Sequence, residues 1–241
     1  HLLGEGLTPS LSNLGHSGQP PTHPLLLDYL SDEFVRNGWS MKRLIRSIVL
    51  SATYQQSSEM KAHADELERR LKLFGLARVK RLEVESIWRT LNSIEHNPEG
   101  NEKRRDPPFD MVRELEGLFD GADSSLIVPR RAASISSLQA LFFLNSPHIK
   151  NSAEKIAIRL HNTKNLENNA ARIRQVYQWF YGRTASAEEL ATAEVFLKEW
   201  PVDAGKLKPN RNKNAPEPVM LARWQAYLQA LMATNEFLFV L

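Results

Sequence analysis

Ser40-Met41-Lys42-Arg43-Leu44-Ile45-Arg46-Ser47-Ile48-Val49-Leu50-Ser51-Ala52 is the stretch on which the fold turns. Met41, Leu44, Ile45, Ile48, Val49 and Ala52 recur at steps of three and four residues, the stripe of an amphipathic helix packed on a core. Lys42, Arg43 and Arg46 fall on its other face. Ser40 is placed to accept from the free N–H groups of the first turn. Upstream, Leu26, Leu27, Leu30 and Phe34 recur at the same spacing behind Pro24, with Thr22 as the expected cap. Asn37-Gly38 closes that helix, glycine being suited to the left-handed position beyond a helix end.

Helical patterning continues through most of the chain. Charged, helix-prone residues run from 60 to 73, and Arg81-Leu82-Glu83-Val84-Glu85-Ser86-Ile87-Trp88-Arg89 opens another helix with Leu82, Ile87, Trp88 and Leu91 as core candidates. Residues 96–108 break the pattern with Asn-Pro and Pro-Pro steps, a candidate mobile loop or internal boundary. Phe109 to Phe119 reads as a short helix, and Ser125 to Val128 as the one plausible short strand. Ile135 to Asn145 carries Leu138, Leu141, Phe142 and Leu144, and Pro147 starts the helix that follows. The next segment buries Ile173, Val176, Tyr177 and Phe180 and ends at Gly182. Ser186-Ala187-Glu188-Glu189 is a capping box, and a last helix runs from Val219 to about Thr234. The reading is all-α: about eight to ten helices with long loops and at most a vestigial β-hairpin, in one domain over residues 1–241.

Composition narrows the function classes. Of 241 residues 42% are hydrophobic and 24% charged, which suits a globular protein with a sizeable core. With 31 basic against 28 acidic residues the net charge is only +3, which argues against a nucleic-acid partner. The tightest basic cluster, Lys206 to Lys213, is either a solvated loop or a polyanion contact. The absence of cysteine removes disulfides, thiolate metal sites, a thiol nucleophile and covalent haem attachment within this chain. No apolar run approaches the roughly 18–20 residues that span a bilayer. The chain opens on His1 and is read as a piece of a longer protein, so a missing signal peptide carries no weight.

Five blocks together resemble one family, the planctomycete-type PSD1 domain (DUF1553). The first is Gly18-Gln19-Pro20-Pro21-Thr22-His23-Pro24 with Gly38-Trp39-Ser40 and Ser51-Ala52-Thr53-Tyr54-Gln55-Gln56-Ser57-Ser58. The second is Arg81-Leu82-Glu83-Val84-Glu85-Ser86-Ile87-Trp88-Arg89. The third is Phe119-Asp120-Gly121-Ala122-Asp123, then Arg130-Arg131, then Ser137-Leu138-Gln139-Ala140-Leu141 through Pro147. The fourth is Tyr181-Gly182-Arg183-Thr184, and the fifth Asn235-Glu236-Phe237-Leu238. The chain departs from the family in a shortened stretch around 97–118 and in Ala122, where the family has proline. The resemblance implies an exported, periplasmic or extracytoplasmic protein. It implies an upstream PSCyt2-like (DUF1549) domain as partner and a c-type cytochrome domain nearby, any haem sitting on that companion and no cofactor in this chain. It implies no established reaction.

The chemistry candidates centre on His23, which stands between Thr22 and Pro24 where a loop becomes a helix. Its ring either fixes the loop or serves as a ligand or proton carrier. A groove formed by His23, Trp39, Arg46, Tyr54, Gln55 and Arg130 is the candidate site, and a polysaccharide the candidate ligand if the chain binds or processes carbohydrate. No His-Glu-x-x-His, Gly-x-Ser-x-Gly or phosphate-loop pattern is present, and no metal site is assigned. Glu83 and Glu85 point to different sides of a helix, with Glu83 expected to pair with Arg81. Asp120 and Asp123 fall short of a calcium loop. The five tryptophans read as core or helix-edge anchors.

Overall fold

A computed structural model describes the chain except residues 1, 11, 14, 60–62, 97–108, 122–124, 126–133, 135, 204, 206, 208–214 and 241. Among the described residues the regular structure is helical apart from one short strand pair, in line with the periodicity, and the chain divides into two compact units.

The first unit takes in residues 1–80. Its opening loop is tied down from within: the Thr22 backbone N–H donates to the Leu7 carbonyl at 2.8 Å, and the Thr22 hydroxyl to the same oxygen at 3.1 Å. That hydroxyl is therefore spent on the loop. The N-cap of α1 (Pro24–Arg36) is His23, which makes no side-chain capping bond, so the expected Thr22 cap does not form. Gly18 sits where a Cβ would come within 2.0 Å of the Asn13 carbonyl oxygen, which explains a glycine there. At the far end of α1, Gly38 takes φ +66° and Trp39 φ +60°, and the Trp39 N–H reaches back to the Phe34 carbonyl at 2.9 Å. This left-handed pair turns the chain into α2 (Met41–Val49), where Ser40 accepts from the Arg43 N–H as read from sequence. Helix α3 (Ala64–Lys72) carries i,i+4 pairs Glu66–Arg70 and Glu68–Lys72 on an exposed surface.

The α2 stripe does not pack on a core. Neither α1 nor α2 has a buried residue, and Met41 and Ile45 are 58% and 43% exposed. The period identified the helix correctly; what its apolar face lacks among the described residues is a neighbour to cover it.

The second unit holds the core. It contains α4 (Val84–Glu95), α5 (Phe109–Leu118), α6 (Ser137–Asn145), α7 (Pro147–Asn162), α8 (Asn169–Tyr181), α9 (Ala187–Glu199), α10 (Pro218–Met232) and the short α11 (Asn235–Leu238). Helix α7 is central: Ile149, Ala153, Ile156, Ala157 and Leu160 form one buried face at helical spacing, packed toward α4, α6 and α10. Each such isoleucine or leucine contributes about 1.5–3 kcal/mol by leaving water. Phe119, Phe142, Phe143 and Phe237 join by edge-on ring contacts between 5.6 and 6.3 Å. The capping box at Ser186 and the left-handed Gly182 after α8 form as expected.

Three features of this unit differ from the sequence reading. Helix α4 begins at Val84, because Arg81 lies in a strand: β1 (Lys80–Arg81) pairs with β2 (Phe239–Val240), and the Leu82 N–H donates to the Leu238 carbonyl at 2.8 Å. The strand pair is thus long-range in sequence; of the short strand expected at 125–128, only Ser125 is among the described residues. On α6 the leucines face outward, Leu138, Leu141 and Leu144 being half exposed, while Gln139, Phe142 and Phe143 are buried. The Phe119–Phe237 aromatic cluster claims the phenylalanine arc of that helix.

Candidate functional site

His23 stands at the start of α1, half buried, its Nδ1 3.0 Å from the Thr22 hydroxyl and its ring tilted against Phe74 at 5.1 Å. Phe74 itself adopts φ +53° just after α3, so that helix end supports the histidine. Trp39 stands at the opposite end of α1, 68% exposed, with its ring edge-on to Phe34 at 5.2 Å. Thirteen helical residues separate the two, so they lie about 20 Å apart along the axis. A groove joining them would have the length of an extended chain rather than of one small molecule. Arg46 is exposed on α2. Tyr54 and Gln55 follow α2 in a turn held by Ser51, and Gln55 Nε2 donates to the Leu50 carbonyl at 3.5 Å. Arg130 lies outside the described residues.

Among the described residues of this unit, one small concavity lies beside the Trp39 end of α1. A cleft of about 90 Å³ opens between α1 and α2, lined by Glu33, Phe34, Asn37, Ser40, Arg43, Leu44 and Ser47. It is far below the roughly 300 Å³ at which small-molecule pockets begin. Its polar groups satisfy one another: Asn37 Nδ2 donates to the Glu33 carboxylate at 2.6 Å, and Arg43 donates to Asn37 Oδ1 at 3.4 Å. None of His23, Trp39, Arg46, Tyr54 and Gln55 is among its described lining residues.

The second unit gathers its polar residues into knots that the sequence reading missed. Arg81, 6% exposed at its side chain, meets Asp120 at 2.9 Å and also donates to the Phe119 and Ser134 carbonyls. The ion pair expected with Glu83 is made with Asp120. Asp120 further accepts from the Ser134 N–H at 2.7 Å and from its hydroxyl, and Gln139 donates to the Leu118 and Ser134 carbonyls. The Ser134 amide first, with the Arg81 guanidinium, holds the Asp120 carboxyl below its usual range despite partial burial. Asp120 is thereby committed to structure, and Asp123 lies outside the described residues.

Arg183 is the second knot. Its guanidinium makes paired bonds to Glu189 (2.6 and 2.8 Å) and to Glu236 (2.6 and 2.8 Å), while lying over the rings of Tyr177 and Tyr181. The Arg183 bonds push the Glu189 carboxyl down to about 2, and burial pushes the Tyr181 hydroxyl up to about 12. A third knot is Arg159, which lies 4.3 Å over Trp179 and donates to the Ile94 and His96 carbonyls at the end of α4. Nearby, Glu95 is almost buried and accepts from Lys155 at 3.0 Å and from Ser152.

These knots join the sequence blocks to one another. Arg81 of the second block meets Asp120 of the third, and Arg183 of the fourth meets Glu236 of the fifth. The polar signature of the second unit is thus spent on holding its fold. Among the described residues no group of three or more His, Asp or Glu side chains is arranged to hold a metal ion, and no helix is long and apolar enough to cross a membrane. Among the tryptophans, Trp224 is buried, Trp88 and Trp179 are packed on the core, and Trp39 and Trp200 are exposed, Trp200 stacking on Phe196 at 4.6 Å.

A family model described as PSD1, a protein of unknown function (DUF1553), matches residues 1–114 and 103–197, ending short of the terminal Asn235–Leu238 block. No curated protein and no solved structure matches the chain.

Proposed function

The chain belongs to the PSD1 family of proteins of unknown function (DUF1553), and from that premise we propose that it is an accessory interaction module. In this reading it packs against an upstream PSCyt2-like domain of the same exported, cytochrome c-associated protein. The observation that carries the reading is the bare hairpin of the first unit. Leu25, Tyr29, Trp39, Met41, Ile45 and Leu50 are each at least 43% exposed across two consecutive helices. Exposed apolar surface rimmed by polar residues marks association sites in soluble proteins.

The test is titration calorimetry of the chain against the PSCyt2-like domain of its parent protein. We expect saturable binding, weakened about tenfold or more by Trp39→Ala or Ile45→Asp, as for anchors at the centre of an interface. Circular dichroism must show both variants folded. No binding by the folded chain would sink the reading. The setting beside a cytochrome and outside the cytoplasm rests on the family resemblance, and fractionation of cells carrying the parent protein checks it.

A further inference from the structure

We infer that the partner meets the α1–α2 hairpin with an apolar ridge bordered by carboxylates, an inference that rests on the interaction-module reading above. Helix α2 turns Arg43, Leu44 and Ser47 toward the cleft it shares with α1. At about 100° per residue, Met41 and Ile45 come next around the helix, and Lys42 and Arg46 lie beyond them. The free face of α2 is therefore an apolar strip with a basic margin, all four residues being exposed.

The charges of the hairpin are not balanced on that margin. Asp32 is bound to Arg36 at 2.8 Å, and Glu33 accepts from Asn37 at 2.6 Å. Arg43 is turned to Asn37. Lys42 and Arg46 have no ion pair or side-chain hydrogen bond among the described residues, which leaves Asp28 as the acidic group of the hairpin without one. Two cations beside an apolar strip select a partner with acidic residues at the matching rim, because opposite charges there speed encounter and fix register. An anionic lipid surface fits less well, because a nine-residue helix offers too short an apolar strip to seat in a membrane interface.

The test measures association rates of the intact chain with the PSCyt2-like domain at about 50 mM and about 500 mM salt. It compares Lys42→Glu/Arg46→Glu, the neutral Lys42→Gln/Arg46→Gln and Asp28→Lys, each checked for folding by circular dichroism. The expected result is an association rate about tenfold lower for the reversed pair, an intermediate loss for the neutral pair, and a rate unchanged or raised by Asp28→Lys. High salt should erase most of these differences, and dissociation rates should move little. Association that ignores both salt and the variants overturns the acidic-partner inference and leaves the module reading standing. No association at all overturns the module reading. Binding to phosphatidylserine vesicles in place of the domain overturns the inference in favour of a membrane.

Discussion

Arg183 and Glu189 face each other fork to fork, NH1 to Oε2 at 2.8 Å and NH2 to Oε1 at 2.6 Å, while the same guanidinium grips Glu236 from the chain's last helix. One side chain therefore fastens the start of α9 and the whole of α11 to the end of α8. Removing it leaves two carboxylates facing each other. The side chain is 40% exposed, so solvent screening trims the effect. Arg183→Ala should cost about 1–2 kcal/mol. Urea unfolding should report this as a lower midpoint at unchanged slope. Arg183→Lys should recover only part, since an ammonium cannot grip both carboxylates side by side.

The same knot makes stability depend on pH. Glu189 titrates at about 2 in the folded chain against an ordinary value of 4.5. A depressed carboxyl contributes its stability above its unfolded value, and that contribution is lost as pH falls through the folded one. The urea midpoint should therefore decline between pH 4.5 and about 2. In Glu189→Gln that portion of the decline should be absent. A decline of equal size in the variant would assign the acid sensitivity elsewhere, with Asp120 the next carboxyl to test.

The Arg81–Asp120 knot is drier and should matter more. Arg81→Ala removes a cation that is 6% exposed, takes that donor from the Phe119 and Ser134 carbonyls, and leaves Asp120 with the Ser134 amide and hydroxyl and, among the described residues, no opposite charge. Breaking such a pair from one side costs about 3 kcal/mol. Asp120 also sits at φ +54°, a conformation that asparagine tolerates better than alanine. Asp120→Asn should therefore be milder than Asp120→Ala, and thermal unfolding of the two variants gives that order directly.

Most helix starts and stops were legible because their signals are local. Pro24, Ser40, Pro147, Gly182 and the Ser186–Glu189 box each act within one turn. The knots were not legible: Arg81 and Asp120 are 39 residues apart, and Arg183 and Glu236 are 53 apart. Tertiary packing chooses such partners, and spacing carries no trace of it. On α6 the apolar residues run almost all round the helix, so the period could not say that Phe142 and Phe143, rather than the leucines, face the core. For the groove, the length of α1 already contained the separation of His23 and Trp39, whereas the bare face of α2 is a fact about neighbours and not about period.

That bare face yields the sharpest contrast in mutational cost. Ile45 and Ile156 occupy equivalent apolar positions on amphipathic helices, yet Ile45 is 43% exposed and Ile156 is fully buried. Truncating Ile156 to alanine opens a cavity in the α7 core and should cost about 2–5 kcal/mol. Truncating Ile45 removes surface that water already reaches and should change stability by about 0.5 kcal/mol or less. Urea unfolding of the two variants measures both. A large loss for Ile45→Ala in the isolated chain would mean that the α2 stripe is already covered, and the interaction-module reading would lose its central observation. A small loss in isolation, combined with a large loss of affinity for the PSCyt2-like domain, is the result that a docking face requires.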